Sequence, residues 1–342
     1  MTILAELAYW QQTIIKVVGV LAAVLLPAGT FVYVFLFKMM SHMQSRLGPM
    51  EAGPHGGLQL LAEVGKFIQK EDIIPERADP PLFKVAPYLV VASALLVYVV
   101  IPFGPDLVFA DLDTGVFYAM AMSSVSVIGV LLAGWASANK YSLVGALRAA
   151  GQLIAYELPM VLAVVGVVIQ AGTLNMQEIV LAQAEGEIFG WGAIGNPFIL
   201  TQLVGFLLFL VATQAELNQA PFDMPVAESE IVTGFMTEYS GMRFLLFFIG
   251  EFATAGVLCA IAATLFLGGW YVPFLDPDAD YMNVLGPFVM LGKMMLVAFF
   301  IFWIRFTYPR FREDQLQTLA WKYLIPLSLV NIMATAVLKV VF

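Results

Sequence analysis

Eight long apolar segments recur along the chain, and they limit what it can fold into more than any other feature. They cover residues 14–37, 85–103, 116–137, 152–171, 198–217, 243–267, 285–307 and 322–341. Each has about the 20 residues that a helix needs to cross a hydrocarbon core of about 30 Å. Charged residues make up 12% of the chain, about half of their share in soluble domains. We therefore predict an all-α, polytopic membrane protein in which residues 1–342 form a single transmembrane domain of eight helices.

The distribution of basic residues predicts how these helices are oriented. The connection 39–84 has more Lys and Arg than any other, whereas the connections 104–115, 172–197 and 270–283 have none. Because basic loops stay in the cytoplasm, we place the connection 39–84 there and both termini on the opposite, periplasmic side. No basic region precedes the first segment, which is longer than the apolar core of a cleaved signal, so we expect it to remain as helix one.

The cytoplasmic connection 39–84 contains a stretch with helical periodicity. Between residues 57 and 70, apolar residues such as Leu58 and Leu61 fall on one side of a helix, and charged residues such as Lys66 fall on another. This pattern fits an amphipathic helix that lies in the membrane interface next to helix one. A surface helix packed on the bundle would give the same pattern.

The stretch 213–251 concentrates carboxylates in an otherwise apolar chain and contains one base, Arg243. Its acids are Glu216, Asp223, Glu228, Glu230, Glu238 and Glu251. A charge at the centre of a bilayer costs at least a few kcal/mol, so acids in and between membrane helices indicate function. Buried carboxyls that repel one another can carry protons near neutral pH and titrate as a coupled group. We therefore interpret 213–251 as a proton-relay stretch.

Four acids are expected to converge in the cytoplasmic half of the bundle. Glu216 ends helix five, Glu251 lies about eight residues into helix six, and Glu157 lies about six residues into helix four. Glu238, in the connection before helix six, should lie near them. Glu157 could instead be a polar residue whose hydrogen bonds are satisfied within the bundle. A solvated acidic loop is the alternative for Glu228 and Glu230.

Basic residues in and after helix seven admit structural interpretations. Lys293 lies about two turns inside the helix, as either a counter-ion or an ordinary packing residue. Bases at a helix end usually extend to the membrane interface, which is our expectation for the four that follow. These are Arg305, Arg310, Arg312 and Lys322.

Cysteine and histidine usage excludes several classes of function. The single Cys259 can form neither a disulfide nor an iron–sulfur cluster within the chain. His42 and His55 lie in one connection, so no pair of helices can bind a haem between imidazoles. No GxGxxG, P-loop or HExxH motif is present. We therefore expect no redox cofactor in this chain and no nucleic-acid partner.

Several motifs together resemble one known family. They are GWASANKYSLVGALRAAGQLIAYELP at 134–159, ELNQAPFDMPVAESEIVTGF at 216–235, TEYSGMRF at 237–244, KEDIIP at 70–75 and WIRFTYPRFREDQL at 303–316. In this order and spacing they resemble the family of bacterial H subunits of the proton-pumping NADH–quinone oxidoreductases, or complex I. The resemblance extends from about Met43 to Lys322.

This resemblance implies a membrane subunit of the inner membrane that forms a quinone chamber with soluble subunits and couples quinone reduction to proton translocation. The glutamates that match the family's proton path are Glu157, Glu216, Glu228, Glu230, Glu238 and Glu251. The residues that match its quinone chamber are Lys38, Arg46, Asp223 and Arg243. The enzymatic activity would belong to the assembly, because this chain has no catalytic centre of its own.

The same resemblance implies the substrate and the partners. Quinone, as ubiquinone or menaquinone, would be the substrate, while FMN and iron–sulfur clusters would lie in partner subunits. The soluble partners would be subunits B, D (or a fused CD) and I. The membrane partners would be subunits A, J and K, within the lipid bilayer.

Departures from the family pattern cluster near the presumed quinone entrance. Leu36 and Phe37 replace a Glu-Arg pair, Glu51 replaces an arginine after a Gly-Pro turn, and Gln219 replaces the arginine of an ETNR-type motif. Two other functions remain open, the first because its family shares the acidic series and the second because intramembrane acids and Pro-broken helices also suit it. One is the membrane subunit of an energy-converting hydrogenase or a deazaflavin-dependent dehydrogenase, which neighbouring genes would reveal. The other is a free-standing secondary ion transporter, which would transport ions alone in liposomes.

Overall fold

Helices make up all the regular structure in residues 9–186, 195–277, 279 and 281–341, which the computed structural model describes. The longer helices are α1 (Tyr9–Phe31), α2 (Gln59–Gln69), α3 (Pro80–Tyr98), α4 (Gly115–Ala136), α5 (Lys140–Ala171), α6 (Met176–Glu185), α7 (Leu203–Glu216), α8 (Gly241–Phe266), α9 (Met282–Thr307) and α10 (Ile325–Val341). Shorter helical segments are Val32–Met39, Met40–Met43, Pro54–Gly56, Glu228–Ile231, Gly234–Met236, Glu313–Thr318 and Leu319–Leu324. The described ranges contain no strand, so the all-α prediction is confirmed.

Within these ranges, 7 helices are long and apolar enough to cross a membrane. They are Thr13–Met43, Pro80–Tyr98, Gly115–Ala136, Lys140–Ala171, Gly241–Phe266, Met282–Thr307 and Glu313–Val341. The predicted segment 198–217 corresponds to α7, which has only 14 residues. Such a helix is about 21 Å long, shorter than a hydrocarbon core of about 30 Å. The structure thus provides seven helices of full length where the sequence predicts eight.

Helix α7 begins late because the residues before it bond elsewhere. The Phe198 N–H donates to the Gln183 side-chain oxygen of α6 at 3.1 Å. The Ile199 N–H donates to the Phe266 carbonyl at the end of α8, at 2.8 Å. These bonds attach the start of the predicted segment to its neighbours and leave Gln202 as the residue before the helix.

Helix α5 is longer than the predicted segment 152–171. It begins at Lys140, because the Asn139 side chain accepts a hydrogen bond from the Tyr141 N–H at 2.8 Å and caps the first turn. Its last residue is Ala171, and the next residue, Gly172, ends the helix with a φ of 83° that glycine readily adopts. Glu157 therefore lies more than four turns after the helix start, not the six residues that the sequence predicts.

Helix α8 is the central helix of the bundle and packs against α1, α3 and α9. Nearly every residue from Phe252 to Phe266 is buried, and many of them are small. Small residues let helix backbones approach closely, which is how helices pack in a membrane. The C-terminal end of α8 lies beside the N-terminal half of α9, because the Lys293 ammonium donates to the Leu267 and Tyr271 carbonyls at 2.7 Å. Lys293 thus binds backbone carbonyls that follow α8, and it forms no ion pair with a carboxylate of the described residues.

Candidate functional site

The candidate site is built around the C-terminal end of α7, where Glu216 is the last helical residue and is only 7% exposed. The chain turns sharply after it, with Asn218 in the left-handed region at φ 51°. Gln152, fully buried in α5, fixes this turn. Its amide nitrogen lies 2.7 Å from the Ala215 carbonyl, 2.8 Å from the Phe222 carbonyl and 3.2 Å from Asn218 Oδ1.

A small cavity, whose wall is otherwise mostly apolar, is lined by Glu216 and by Glu251 of α8; we call it the polar cavity after these two carboxylates. Its volume is about 70 Å³, and Ser126, Asn218 and Thr254 contribute further polar groups to its wall. A water molecule needs about 10–15 Å³ measured in this way, together with two to four polar partners. The cavity therefore has room and hydrogen-bonding groups for several water molecules between the two carboxylates.

Buried polar atoms without a hydrogen-bond partner are concentrated at the C-terminal end of α7. In the part of the chain that the structure describes, they include Gln152 Oε1, Thr213 Oγ1, Gln214 Oε1, Glu216 Oε2 and Gln219 Oε1. Buried polar atoms in proteins are nearly always hydrogen-bonded, to protein or to ordered water. The end of α7 therefore offers several buried polar atoms to which water molecules could hydrogen-bond.

Glu251 differs from Glu216 because its charge is compensated. Gln219 donates to it at 2.8 Å, and Arg305 of α9 forms an ion pair with it at 3.2 Å. The Arg305 guanidinium also lies 5.9 Å from the ring centroids of Phe302 and Phe306. Arg305 therefore binds a partly buried carboxylate within the bundle, where the sequence predicts that it extends to the membrane interface.

Glu157 lies near Glu216 but does not line the cavity. Its half-buried carboxylate lies beside Ser124 of α4 and is close enough to Glu216 for the two charges to repel each other. Glu157 thus lies near Glu216, and Glu216 shares a cavity with Glu251, at the junction of α4, α5, α7 and α8.

Glu238 occupies a separate place. It lines an open cleft at the start of α5 together with Arg77 and Lys140. Asn139, which caps α5, donates its side-chain N–H to Glu238. The structure therefore does not bring Glu238 together with Glu157, Glu216 and Glu251.

Glu228 and Glu230 lie at the surface of this chain. Arg148 of α5 forms an ion pair with Glu230 at 2.6 Å, and Arg310 approaches it at 3.5 Å. The hydrogen bond from Arg148 is the main reason that the pKa of the Glu230 carboxyl lies below its usual value, although solvent screens an exposed pair. Glu228 is exposed and has no polar partner among the described residues.

The predicted chamber residues Asp223 and Arg243 both form ion pairs at the ends of helices. Asp223 binds the Arg310 guanidinium through both carboxylate oxygens, at 2.7 and 3.2 Å. Arg310 therefore does not extend to the interface as the sequence predicts. Arg243, at the start of α8, pairs with Asp72 at 3.0 Å and lies 5.6 Å from the Phe83 ring centroid.

Lys38 and Arg46 lie apart from the cavity, after α1. The Lys38 ammonium donates to the Pro49 carbonyl at 2.8 Å and so stabilises the Gly-Pro turn. Arg46 is exposed and donates to Gln44 at 2.8 Å. Of the departures in this region, Phe37 is buried in the bundle while Glu51 is exposed.

Sequence reasoning did not identify three residues that shape the site. Gln152 and Ser124 contact the end of α7 and Glu157, and Gln219 was noted only as a departure from the family pattern. Gln152 and Ser124 are polar side chains within apolar segments, which was the available signal. Their partners could not be identified, because they lie on helices distant in the sequence.

Comparisons with known proteins agree over nearly the whole chain. The family model described as NADH dehydrogenase matches residues 15–336. The second H subunit of the NADH-quinone oxidoreductase of Syntrophobacter fumaroxidans is 47% identical over 331 residues, 94% of this chain and 94% of that protein. The H subunit of the NADH-quinone oxidoreductase of Brevibacillus brevis is 44% identical over 338 residues, 98% of this chain and 96% of that protein. NADH-quinone oxidoreductase subunit 8 of Rhodothermus marinus is 43% identical over 338 residues, 96% of each.

Proposed function

Because this chain belongs to the NADH dehydrogenase family, as its match over residues 15–336 shows, we propose that it is the H subunit of a bacterial proton-pumping NADH–quinone oxidoreductase. In this role it forms part of the quinone chamber and couples quinone reduction to proton translocation. The reaction is carried out by the assembly, in which NADH gives two electrons to quinone and two protons convert the reduced quinone to quinol.

The observation that supports this proposal best is the polar cavity between Glu216 and Glu251. Proton transfer requires an uninterrupted series of hydrogen-bonding groups, and water in the cavity would connect the two carboxylates. Glu157 extends the series beyond Glu216, since the two acids are close enough to influence each other's protonation. A proton reaching this group can therefore be shared and passed on toward Glu251.

The residues of the cavity can respond to charge that appears at the quinone. Glu216 forms no ion pair among the described residues, so its protonation can change when a neighbouring charge changes. Glu251, at the other side of the cavity, forms an ion pair with Arg305 at 3.2 Å. We propose that quinone reduction draws a proton to the Glu157–Glu216 pair and that the Glu251–Arg305 pair receives it next.

The outer part of the acidic stretch would face the quinone chamber and the soluble subunits. Glu228 and Glu230 are exposed in this chain, where partner subunits B, D (or a fused CD) and I could cover them. Lys38, Arg46, Asp223 and Arg243 are proposed to line the chamber, and Glu238 to join the proton path at its edge. Quinone, as ubiquinone or menaquinone, is the substrate, and FMN and iron–sulfur clusters in partner subunits supply its electrons.

The membrane arrangement is part of the same proposal. Helix α7 serves as the eighth crossing, and α2, none of whose residues is buried, lies as an amphipathic helix at the interface. Both termini face the periplasm, as the basic residues of the cytoplasmic connections indicate. Subunits A, J and K are the proposed membrane partners.

The test is the Glu216→Gln variant in the assembled complex, reconstituted in sealed vesicles. We expect quinone-linked proton pumping to be lost, because an amide cannot accept the proton, while NADH still reduces the cofactors of the partner subunits. Native gel electrophoresis verifies assembly. The matched control is Glu185→Gln, which removes an exposed carboxylate at the end of α6. Normal pumping by Glu216→Gln in an intact complex would refute the proposal.

A further inference from the structure

A second cavity lies at the other end of the α8–α9 pair from the Glu251–Arg305 ion pair. It is about 560 Å³ in volume and is bounded by α1, by the connection 103–109 and by the first half of α9. Its walls are mainly apolar and include Ile15, Ala23 and Leu291. The volume is within the range of about 300–1,000 Å³ that is typical of small-molecule sites. We call it the outer groove.

Specific contacts shape the outer groove. A Cβ at Gly19 would lie 2.6 Å from the Phe109 ring, so this glycine lets the connection 103–109 approach α1. Asn283 and Asp106 exchange two hydrogen bonds, at 3.0 and 3.1 Å, which attach the same connection to α9. The groove is therefore a built feature in which one connection joins two separate helices.

The outer groove opens toward the surroundings of the bundle. Leu26 is 67% exposed and Phe288 is 70% exposed, and both contribute to its wall. In a membrane helix, such exposed apolar side chains contact hydrocarbon. The contents of the groove can therefore exchange with lipid.

One full positive charge stands at the rim of the groove. Lys16 is exposed, and its ammonium donates to the Phe109 carbonyl at 3.2 Å. An ammonium has three N–H groups, and no carboxylate in the described chain lies within ion-pair distance of this one. Its nearest acidic neighbour in the groove wall, Asp106, is already hydrogen-bonded to Asn283. Lys16 is therefore available to an anionic group.

The distance from this charge to the far end of the groove fits a lipid chain. Ten residues of α1 separate Lys16 from Leu26, which is about 15 Å along the helix. That is about half of a hydrocarbon core of 30 Å, the depth of one leaflet. A partner helix about 10 Å wide would fill the groove with little more than one turn, whereas a single flexible chain fits along it.

From this combination of charge, depth and apolar lining, we propose that the outer groove binds a phospholipid with an anionic headgroup. One acyl chain lies along α1 and α9, and the phosphate lies at the Lys16 ammonium. Bound in this way, the lipid joins the start of α1 to α9 and the connection 103–109, and it occupies a site distinct from the polar cavity.

The experiment uses the whole complex in vesicles that contain a photoreactive lipid. Phosphatidylglycerol with a diazirine near the end of one acyl chain is compared with phosphatidylcholine that carries the same chain. We expect labelling of peptides that contain Leu26, Leu291 and Met294, with about a fivefold preference for phosphatidylglycerol, the effect of one basic residue near a membrane surface. Lys16→Gln should remove the preference without abolishing labelling.

Lys339→Gln is the matched control, because Lys339 is also exposed and donates to one backbone carbonyl, that of Ile169, outside the groove. It should leave the preference unchanged. Ala23→Trp, which fills the groove, should reduce labelling by both lipids. Equal labelling by the two lipids in the unaltered complex would overturn the proposal. So would the absence of labelling at these peptides, which is the result expected if a partner subunit or quinone occupies the groove.

Discussion

Two carboxylates of the same short acidic stretch have opposite surroundings. Glu216 is 7% exposed, with one oxygen lacking any hydrogen-bond partner and no ion pair among the described residues. The Glu230 side chain is 51% exposed and is bound by Arg148 and approached by Arg310. The exposed carboxylate thus has two basic partners, whereas the buried one has none in the described part of the chain. A buried carboxyl without a basic partner is suited to gaining and losing protons, whereas a carboxyl bound by bases is suited to stabilising the fold.

The Glu251–Arg305 pair is intermediate between these two cases. Its side chains are 27% and 24% exposed, and it borders the same cavity as Glu216. The cavity is therefore lined by one carboxylate that pairs with a base and by one, Glu216, that forms no ion pair among the described residues. Three changes test this division, and we consider them from the largest expected effect to the smallest.

The largest effect should come from Gln152→Leu, which removes the side chain that fixes the turn after Glu216. The Ala215 and Phe222 carbonyls would lose their bond to it. Each buried polar group left without a partner costs about 1–3 kcal/mol, so we expect a loss of about 2–4 kcal/mol in the free energy of unfolding. Chemical denaturation in detergent micelles measures this. Gln69→Leu, at an exposed position, should change the value by less than about 0.5 kcal/mol. Equal losses in both variants would contradict a specific role for Gln152.

A smaller effect is expected from Arg305→Gln, which leaves Glu251 with Gln219 as its partner. Breaking a fully buried ion pair costs about 3–5 kcal/mol, and partial solvent screening here reduces our expectation to about 1–2 kcal/mol. Adding Glu251→Gln should restore most of the loss, because no unpaired charge remains. A double-mutant cycle on the free energy of unfolding measures the coupling. Simple additivity would show that Arg305 acts by packing alone.

The smallest effect concerns the surface pair and its dependence on pH. Because Arg148 lowers the pKa of Glu230, the pair stabilises the fold above the usual glutamate pKa of about 4.3 and loses this stabilisation as the pH falls through the lowered pKa. Wild type and Arg148→Gln should differ by about 0.2–1 kcal/mol at neutral pH and converge under more acidic conditions. Melting curves across this pH range measure the difference. A gap that persists in acid would show that the charge of Glu230 is not involved.

Apolar segment length predicted much of the fold. The segments 116–137 and 243–267 coincide within about two residues with α4 and α8, because a long apolar stretch has few alternatives in a membrane. The start of α5 was missed because its first turns contain Lys140 and Arg148 and look like a surface connection. The cap at Asn139 stabilises these turns as helix, and the turns carry Arg148, which binds Glu230.

The sequence predicted which acids form the candidate site but not which bases pair with them. Glu157, Glu216 and Glu251 were identified because acids are rare in apolar helices. Which base belongs to which acid depends on contacts between distant residues, such as Arg305 with Glu251 and Arg310 with Asp223. Helix-end position alone suggested that both arginines extend to the interface. Local sequence patterns contain no information about these tertiary partners.

The shortness of α7 has a consequence for how the bundle admits water. With α7 as the eighth crossing, as proposed, its 14 residues cover about 21 Å, and loosely coiled chain must traverse the remaining thickness. Irregular chain at that depth must be surrounded by protein that satisfies its backbone groups. The side-chain amides of Gln183 and Gln152 bond to the chain before and after α7. A short helix thus lets the chain turn within the membrane, and water can bind at a depth from which a continuous helix would exclude it.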